Sequence, residues 1–206
     1  MIWSELGWCV RLRPGGNITG ISILATELNG KRLKLLMEAL KDVRRIAVLF
    51  DPRITTPKQL KILSDAAQSH GVEMAVLEAG SQEAIAPAIE NASKAGAQAM
   101  NILATPLFSF NTRRIIDQTA LLRLPAMYQW PEEAEDGGLL AYGPRITLVY
   151  RQLARQLLKL MRDVSIADVP VEQPTVFELV VNLKTAQALN LHLPETFLTR
   201  ADQMIE

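Results

Sequence analysis

Ile46-Ala47-Val48-Leu49-Phe50, followed by Asp51-Pro52 and then by Thr56-Pro57, decides the fold. Five consecutive apolar residues suit a strand buried on both faces, the situation inside a parallel sheet. Thr56-Pro57 then supplies a helix start, a capping hydroxyl before a proline at the first helical position. Leu60, Leu63 and Ala67 follow at helical spacing until Gly71 ends the helix. Three further apolar runs, at residues 72–77, 99–103 and 125–128, continue the pattern, and the four starts lie 26, 27 and 26 residues apart. Each interval has room for a crossover helix. This is βαβ rhythm, hence an α/β fold with a parallel sheet.

The intervening helices carry their own signals. Ser81 can cap a helix that runs through Ile85 and Ile89 towards Gly96, and Ile115, Ile116 and Leu122 belong to another that stops before Pro125. Upstream, Leu33, Leu36, Met37 and Leu40 stripe a helix over residues 27–41. Beyond the fourth strand the rhythm changes. Pro131-Glu-Glu opens a short helix, Gly137-Gly138 ends it, and Leu139 to Tyr142 reads as a short strand. The longest helix follows Gly143-Pro144, with a stripe of Val149, Leu153, Leu157 and Leu160. A last strand starts at Phe177, and Asn182 caps a final helix through Leu189. A tail with one good strand cannot be a complete sheet domain. Either it packs on the first lobe or something supplies the rest.

The chain has 206 residues, with 22 Lys+Arg against 22 Asp+Glu and 49% apolar content. This is the composition of a globular chain with one sizeable core or two small lobes. Charge neutrality excludes a general nucleic-acid binder, which needs a basic field. The single cysteine, Cys9, excludes an internal disulfide and a cysteine-cluster metal site. No apolar run approaches the ~18 residues of a membrane span. The first 13 residues lack a basic segment leading into an apolar stretch, so no export signal is expected there.

Four segments together resemble the substrate-binding proteins of ABC transporters, in the family of tryptophan/tyrosine-type uptake built on the type I periplasmic-binding fold. They are Arg13-Pro-Gly-Gly-Asn-Ile-Thr-Gly20, Arg45-Ile-Ala-Val-Leu-Phe-Asp-Pro52, Gly137-Gly-Leu-Leu-Ala-Tyr-Gly-Pro144 and Pro170-Val-Glu-Gln-Pro-Thr-Val-Phe-Glu-Leu-Val-Val-Asn-Leu-Lys-Thr-Ala-Gln-Ala-Leu189. The resemblance implies a parallel-sheet sandwich of two α/β lobes closing on a small ligand in the cleft between them. One lobe is complete here and the other partial. Residues 1–20 would be lead-in and first hinge crossing, 21–130 the complete lobe, and 131–206 the hinge return and the C-terminal part of the other lobe. Gly16, Asn17, Gly138 and Gly143 fall at the implied hinges. The resemblance also implies a membrane permease as partner and a periplasmic or otherwise extracytoplasmic location.

Read physically, the crevice of such a sheet lies at the carboxyl ends of its strands. After the first strand, Asp51, Thr55 and Thr56 offer a carboxylate and two hydroxyls beside a helix N-terminus. The plain alternative is a turn at Asp51-Pro52 and a cap at Thr56. Thr105 follows the third strand. Tyr128 and Trp130 follow the fourth, fit to stack on an apolar ligand or to pack on the helix at Pro131, and Tyr142 precedes the implied hinge at Gly143.

Other chemistries have weaker signals. Glu132, Glu133, Glu135 and Asp136 could hold a hard cation, but acids in a first helical turn favour the helix dipole. His70 and His192 stand apart as surface or cap residues. There is no phosphate loop and no nucleophile elbow, and Asp51 is the one acid–base candidate in the crevice loops. The expectation is therefore a non-catalytic binder of a small solute, an amino acid or similar, with no cofactor, metal or nucleic acid. An effector-binding sensory domain of the same fold, or a truncated remnant that no longer binds, is the alternative. An unpaired tail strand and an uncovered helix would also make the chain a homo-oligomer, with the tail exchanged between copies.

Overall fold

The computed structural model describes residues 18–206 together with the backbone of two short strands, β1 (Cys9–Val10) and β2 (Arg13–Pro14), which pair antiparallel. Gly16 and Asn17 lie outside the described residues. The chain divides into two compact units, one of Ala25–Gly143 with Glu178–Glu206, the other of Met1–Leu24 with Pro144–Phe177.

The larger unit opens with α1 (Ala25–Ala39) and then alternates strand and helix: β3 (Arg45–Phe50), α2 (Pro57–Ser69), β4 (Glu73–Glu78), α3 (Gln82–Lys94) and β5 (Ala99–Ile102). Next come α4 (Pro106–Ser109), α5 (Thr112–Leu121), β6 (Ala126–Tyr128), α6 (Pro131–Glu135) and β7 (Leu140–Gly143). After α7 (Ile146–Leu160) of the smaller unit, the chain returns as β8 (Glu178–Asn182), α8 (Leu183–Ala188), α9 (Glu195–Leu198) and β9 (Gln203–Ile205). The strands form one sheet in the order β4-β3-β5-β6-β7-β8-β9. Pairing is parallel from β4 to β7, antiparallel between β7 and β8, and parallel again between β8 and β9.

Each buried strand feeds two cores because successive side chains point to opposite faces. In β3, Ile46, Val48 and Phe50 meet Leu33, Leu36 and Leu63 from α1 and α2, while Ala47 and Leu49 meet Ile85, Ile89 and Ile115 from α3 and α5. The sheet is thus sandwiched between helices, which is why β3 reads as an unbroken apolar run, whereas β4, expected to be buried on both faces, is an edge strand with Val76 44% exposed. The helix signals operate as expected at Thr56, whose hydroxyl accepts from Gln59 N–H while Gln59 accepts in return from Thr56 N–H at 2.7 Å. Asn182 likewise caps α8 through Thr185 N–H at 2.9 Å. Gly71 adopts a left-handed φ of 70° just past α2.

Three further expectations change. Residues 131–206 do not stay together, because β7, β8 and β9 complete the sheet begun by residues 45–128 and only Pro144–Phe177 falls in the other unit. The strand expected from Phe177, which is β8, has no open edge, since it lies between β7 and β9. And α7 does not bury its expected stripe. Val149 is buried, but Leu153 and Leu157 are exposed, Leu157 by 57%.

In the smaller unit the covered face of α7 carries glutamines instead. Gln156 Nε2 donates to the carbonyl of Pro170 at 3.1 Å and Gln152 Nε2 to the Glu172 carboxylate at 2.7 Å. Beside them runs a strand-like pairing in which Ser22 N–H donates to Glu172 O and Glu172 N–H to Gly20 O, and Gln156 Nε2 also reaches Gly20 O at 3.4 Å. Backbone carbonyls on the covered side can accept a further bond from an amide donor and none from an aliphatic side chain, so glutamines face inward.

Candidate functional site

The order β4-β3-β5-β6-β7 reverses its winding between β3 and β5. In open α/β sheets, ligands bind at such a switch point, beyond the carboxyl ends of the strands. The residues that leave β3, β5, β6 and β7 at that edge form two hydrogen-bonded groups.

The first is built on Asp51, which is 1% exposed. Arg53 grips it bidentately, Nε to Oδ1 at 2.9 Å and Nη2 to Oδ2 at 2.8 Å, and Arg53 N–H adds a third bond to Oδ1. Thr105, at the end of β5, donates to Oδ2 at 3.3 Å. The guanidinium and these donors hold the Asp51 carboxyl below its ordinary range. Arg53 itself stays 62% exposed, so the group presents a fixed cation to its surroundings. Thr55 is buried in the turn, its N–H bonded to Asp51 O at 2.9 Å. Thr56 is taken up by capping α2, and Thr105 caps α4 through Leu107 N–H.

The second group is built on Arg32. It occupies the buried stripe of α1, four residues from both Leu28 and Leu36, and is itself 1% exposed. Its Nε donates to Tyr142 O at 2.7 Å, Nη1 to Asn29 Oδ1 at 3.0 Å and Nη2 to Gln129 O at 3.4 Å. Burial lowers its pKa to about 10, against the opposing pull of Glu133, and leaves it cationic at neutral pH. Glu133 Oε2 accepts from the N–H groups of Gln129 and Trp130, both at 2.8 Å, and Oε1 from the Thr112 hydroxyl at 2.8 Å. Burial nonetheless raises its carboxyl above the ordinary value.

The structure separates the expected residues. Asp51 and Thr105 meet directly. Trp130 is buried and its indole N–H donates to Ser109 Oγ at 3.1 Å. Tyr142 is half-buried on β7 and packs against the core on the α1 side. Tyr128 does not face the crevice. Its ring lies in the core on the α5 side and its hydroxyl pairs with Thr119 at 2.9 Å, so burial raises its pKa. Gly138 serves that packing, because a Cβ there would meet the Tyr128 ring at 2.7 Å. Gly143 ends β7 at the boundary of the two units, with no room for a Cβ beneath Gln129 O.

Among the described residues of the sheet unit, two polar groups are buried without a hydrogen-bond partner. They are Asn101 Oδ1 on β5 and both carboxylate oxygens of Glu132, in the first turn of α6. Buried acceptors are rarely left so in native proteins. Sequence reading did not single out Arg32, Asn29, Arg53 or Asn101, and weighed Glu132 only within an acidic cluster. The available signal was a charged residue on the apolar stripe of α1. Asp51, the single acid–base candidate, is held ionised in an ion pair, an arrangement suited to orienting a ligand.

The family model described as ABC transporter substrate binding protein matches residues 10–205, and the chain belongs to this family. Among solved structures it resembles an ABC domain from Streptococcus pneumonia in complex with L-Trp, with TM-score 0.83 and 20% identity over 99% of this chain and 70% of that one. A conserved domain protein from Vibrio cholerae gives TM-score 0.82 and 20% identity over 94% of this chain and 65% of that one. The ligand-free, open structure of a substrate-binding protein with adhesive properties from Clostridium difficile gives 0.61 and 17%, over 98% and 68%. The chain thus spans about two thirds of the length of these structures. The search of curated proteins returns no match. Among the described residues no helix is long and apolar enough to cross a membrane.

Proposed function

We propose that this chain is the non-catalytic solute-binding component of an ABC-type uptake system. It would work outside the cytoplasmic membrane, hand its cargo to a membrane permease, and take a small solute with an ammonium group, an amino acid or close analogue. The observation that carries the reading is Glu132. A carboxyl group with both oxygens buried and unpartnered is costly, and a ligand ammonium with three donors is the small group that relieves it. Asn101 Oδ1 offers a further acceptor, and exposed Arg53 suits the carboxylate of the same ligand. The L-Trp held by the Streptococcus structure is a solute of this class.

Native mass spectrometry of the gently purified chain tests the reading. A retained mass of an amino acid, released by acid, supports it; a chain that remains bare after incubation with a full amino-acid mixture contradicts it. Self-association has lost one of its grounds, since β8 is paired on both sides. The exposed apolar face of α7 keeps the other, and a mass that rises with concentration in light scattering would be its sign.

A further inference from the structure

A cavity of about 310 Å³ opens in the sheet unit away from the crevice, at the amino ends of β6 and β7. Its volume is at the lower end of ordinary small-molecule sites, roughly 300–1,000 Å³. Ile116, Leu124, Leu139 and Leu189 give it an apolar wall. Arg123, just past α5, and Lys184, in the first turn of α8, reach it from distant parts of the chain, and no Asp or Glu lines it.

Several exposed cations of the sheet unit pair with carboxylates, Arg45 with Glu73, Lys61 with Asp65 and Arg113 with Asp117. Arg123 and Lys184 have no carboxylate partner among the described residues. Arg123 also holds a left-handed φ of 52°, closing α5 with its N–H on Ala120 O. Glycine fills that position without strain. A strained arginine where glycine would serve points to a use for its side chain. The hydroxyls at the cavity do not compete for a ligand. Thr119 donates to Ile116 O at 3.0 Å and so accepts from Tyr128, while Thr185 donates to Gly137 O at 2.9 Å.

We infer that this cavity is a second ligand site, for a small amphipathic anion whose apolar body lies against the leucines and whose carboxylate meets Arg123 and Lys184. It is separate from the crevice and independent of what binds there. The probe is 3-phenylpropionate with its neutral amide as control, followed in methyl spectra of the intact chain. The expected result is saturable shifts confined to the methyl groups around the cavity, with the amide at least ten times weaker. Combining Arg123→Gly with Lys184→Gln should weaken 3-phenylpropionate at least tenfold, while Arg123→Gly alone leaves the unfolding midpoint unchanged or higher. Equal affinity for the amide, shifts centred on the crevice, or no saturation would overturn the inference. So would a lower midpoint for Arg123→Gly, which would make the arginine a part of the fold.

Discussion

Arg32 Nε donates to the carbonyl of Tyr142 at 2.7 Å, joining the first helix of the sheet unit to the last residues of β7 before the chain leaves it. The same guanidinium reaches Gln129 O after β6. One buried cation therefore sets the relative height of two strand ends at the carboxyl edge of the sheet. Replacing Arg32 by leucine leaves these carbonyls and Asn29 Oδ1 without that donor, at a cost of ~1–3 kcal/mol for each group. The expected loss for Arg32→Leu is about 3 kcal/mol in urea unfolding. A loss below about 1 kcal/mol would show that water replaces the guanidinium readily.

Two glycines give opposite expectations. A Cβ at Gly143 would run into Gln129 O, so Gly143→Ala should destabilise by at least about 2 kcal/mol and disturb the same strand ends. Gly30 lies inside α1 with open space around its Cα. Gly30→Ala should stabilise by ~0.5–1 kcal/mol. Thermal unfolding of the two variants beside the parent decides both.

Glu133 and Asp51 act on stability in opposite directions of pH. Burial raises the folded-state pKa of Glu133 above the ordinary 4.5, so the folded chain binds that proton more tightly than the unfolded chain. Its contribution is present below 4.5 and is lost as pH rises through the folded value. Asp51 is lowered from 3.8 by Arg53, so its contribution is present above that value and is lost as pH falls through the lower folded one. Urea midpoints across pH should show Glu133→Gln removing the decline on the upper side. Asp51→Asn should remove the decline on the acid side, and identical profiles for both variants would contradict the assignment.

The parallel core of the fold was legible because burial on both faces demands a continuous apolar run, which residues 46–50 carry, and because the runs near 72, 99 and 125 recur at crossover spacing, although β4 is an edge strand with Glu73 and Val76 exposed. The meeting of Asp51 and Thr105 was legible for a topological reason, since both lie in loops that leave neighbouring parallel strands at the same edge. Tyr128 misled because an aromatic residue at a strand end can point into either helix layer, and alternation along three residues of β6 does not say which. Arg32 escaped notice because its partners are backbone carbonyls, which no sequence pattern marks. The exposed stripe of α7 could not be foreseen either, because which face a helix buries depends on what packs against it.

The most direct test of solute binding at the carboxyl edge is isothermal titration of the chain with L-tryptophan and with N-acetyl-L-tryptophan, each repeated on Glu132→Gln. Saturable binding of the free amino acid, at least tenfold weaker both for the acetylated form and for the variant, is the expected result. Equal affinities in all four titrations would contradict it, because Glu132 would then have no ammonium to meet.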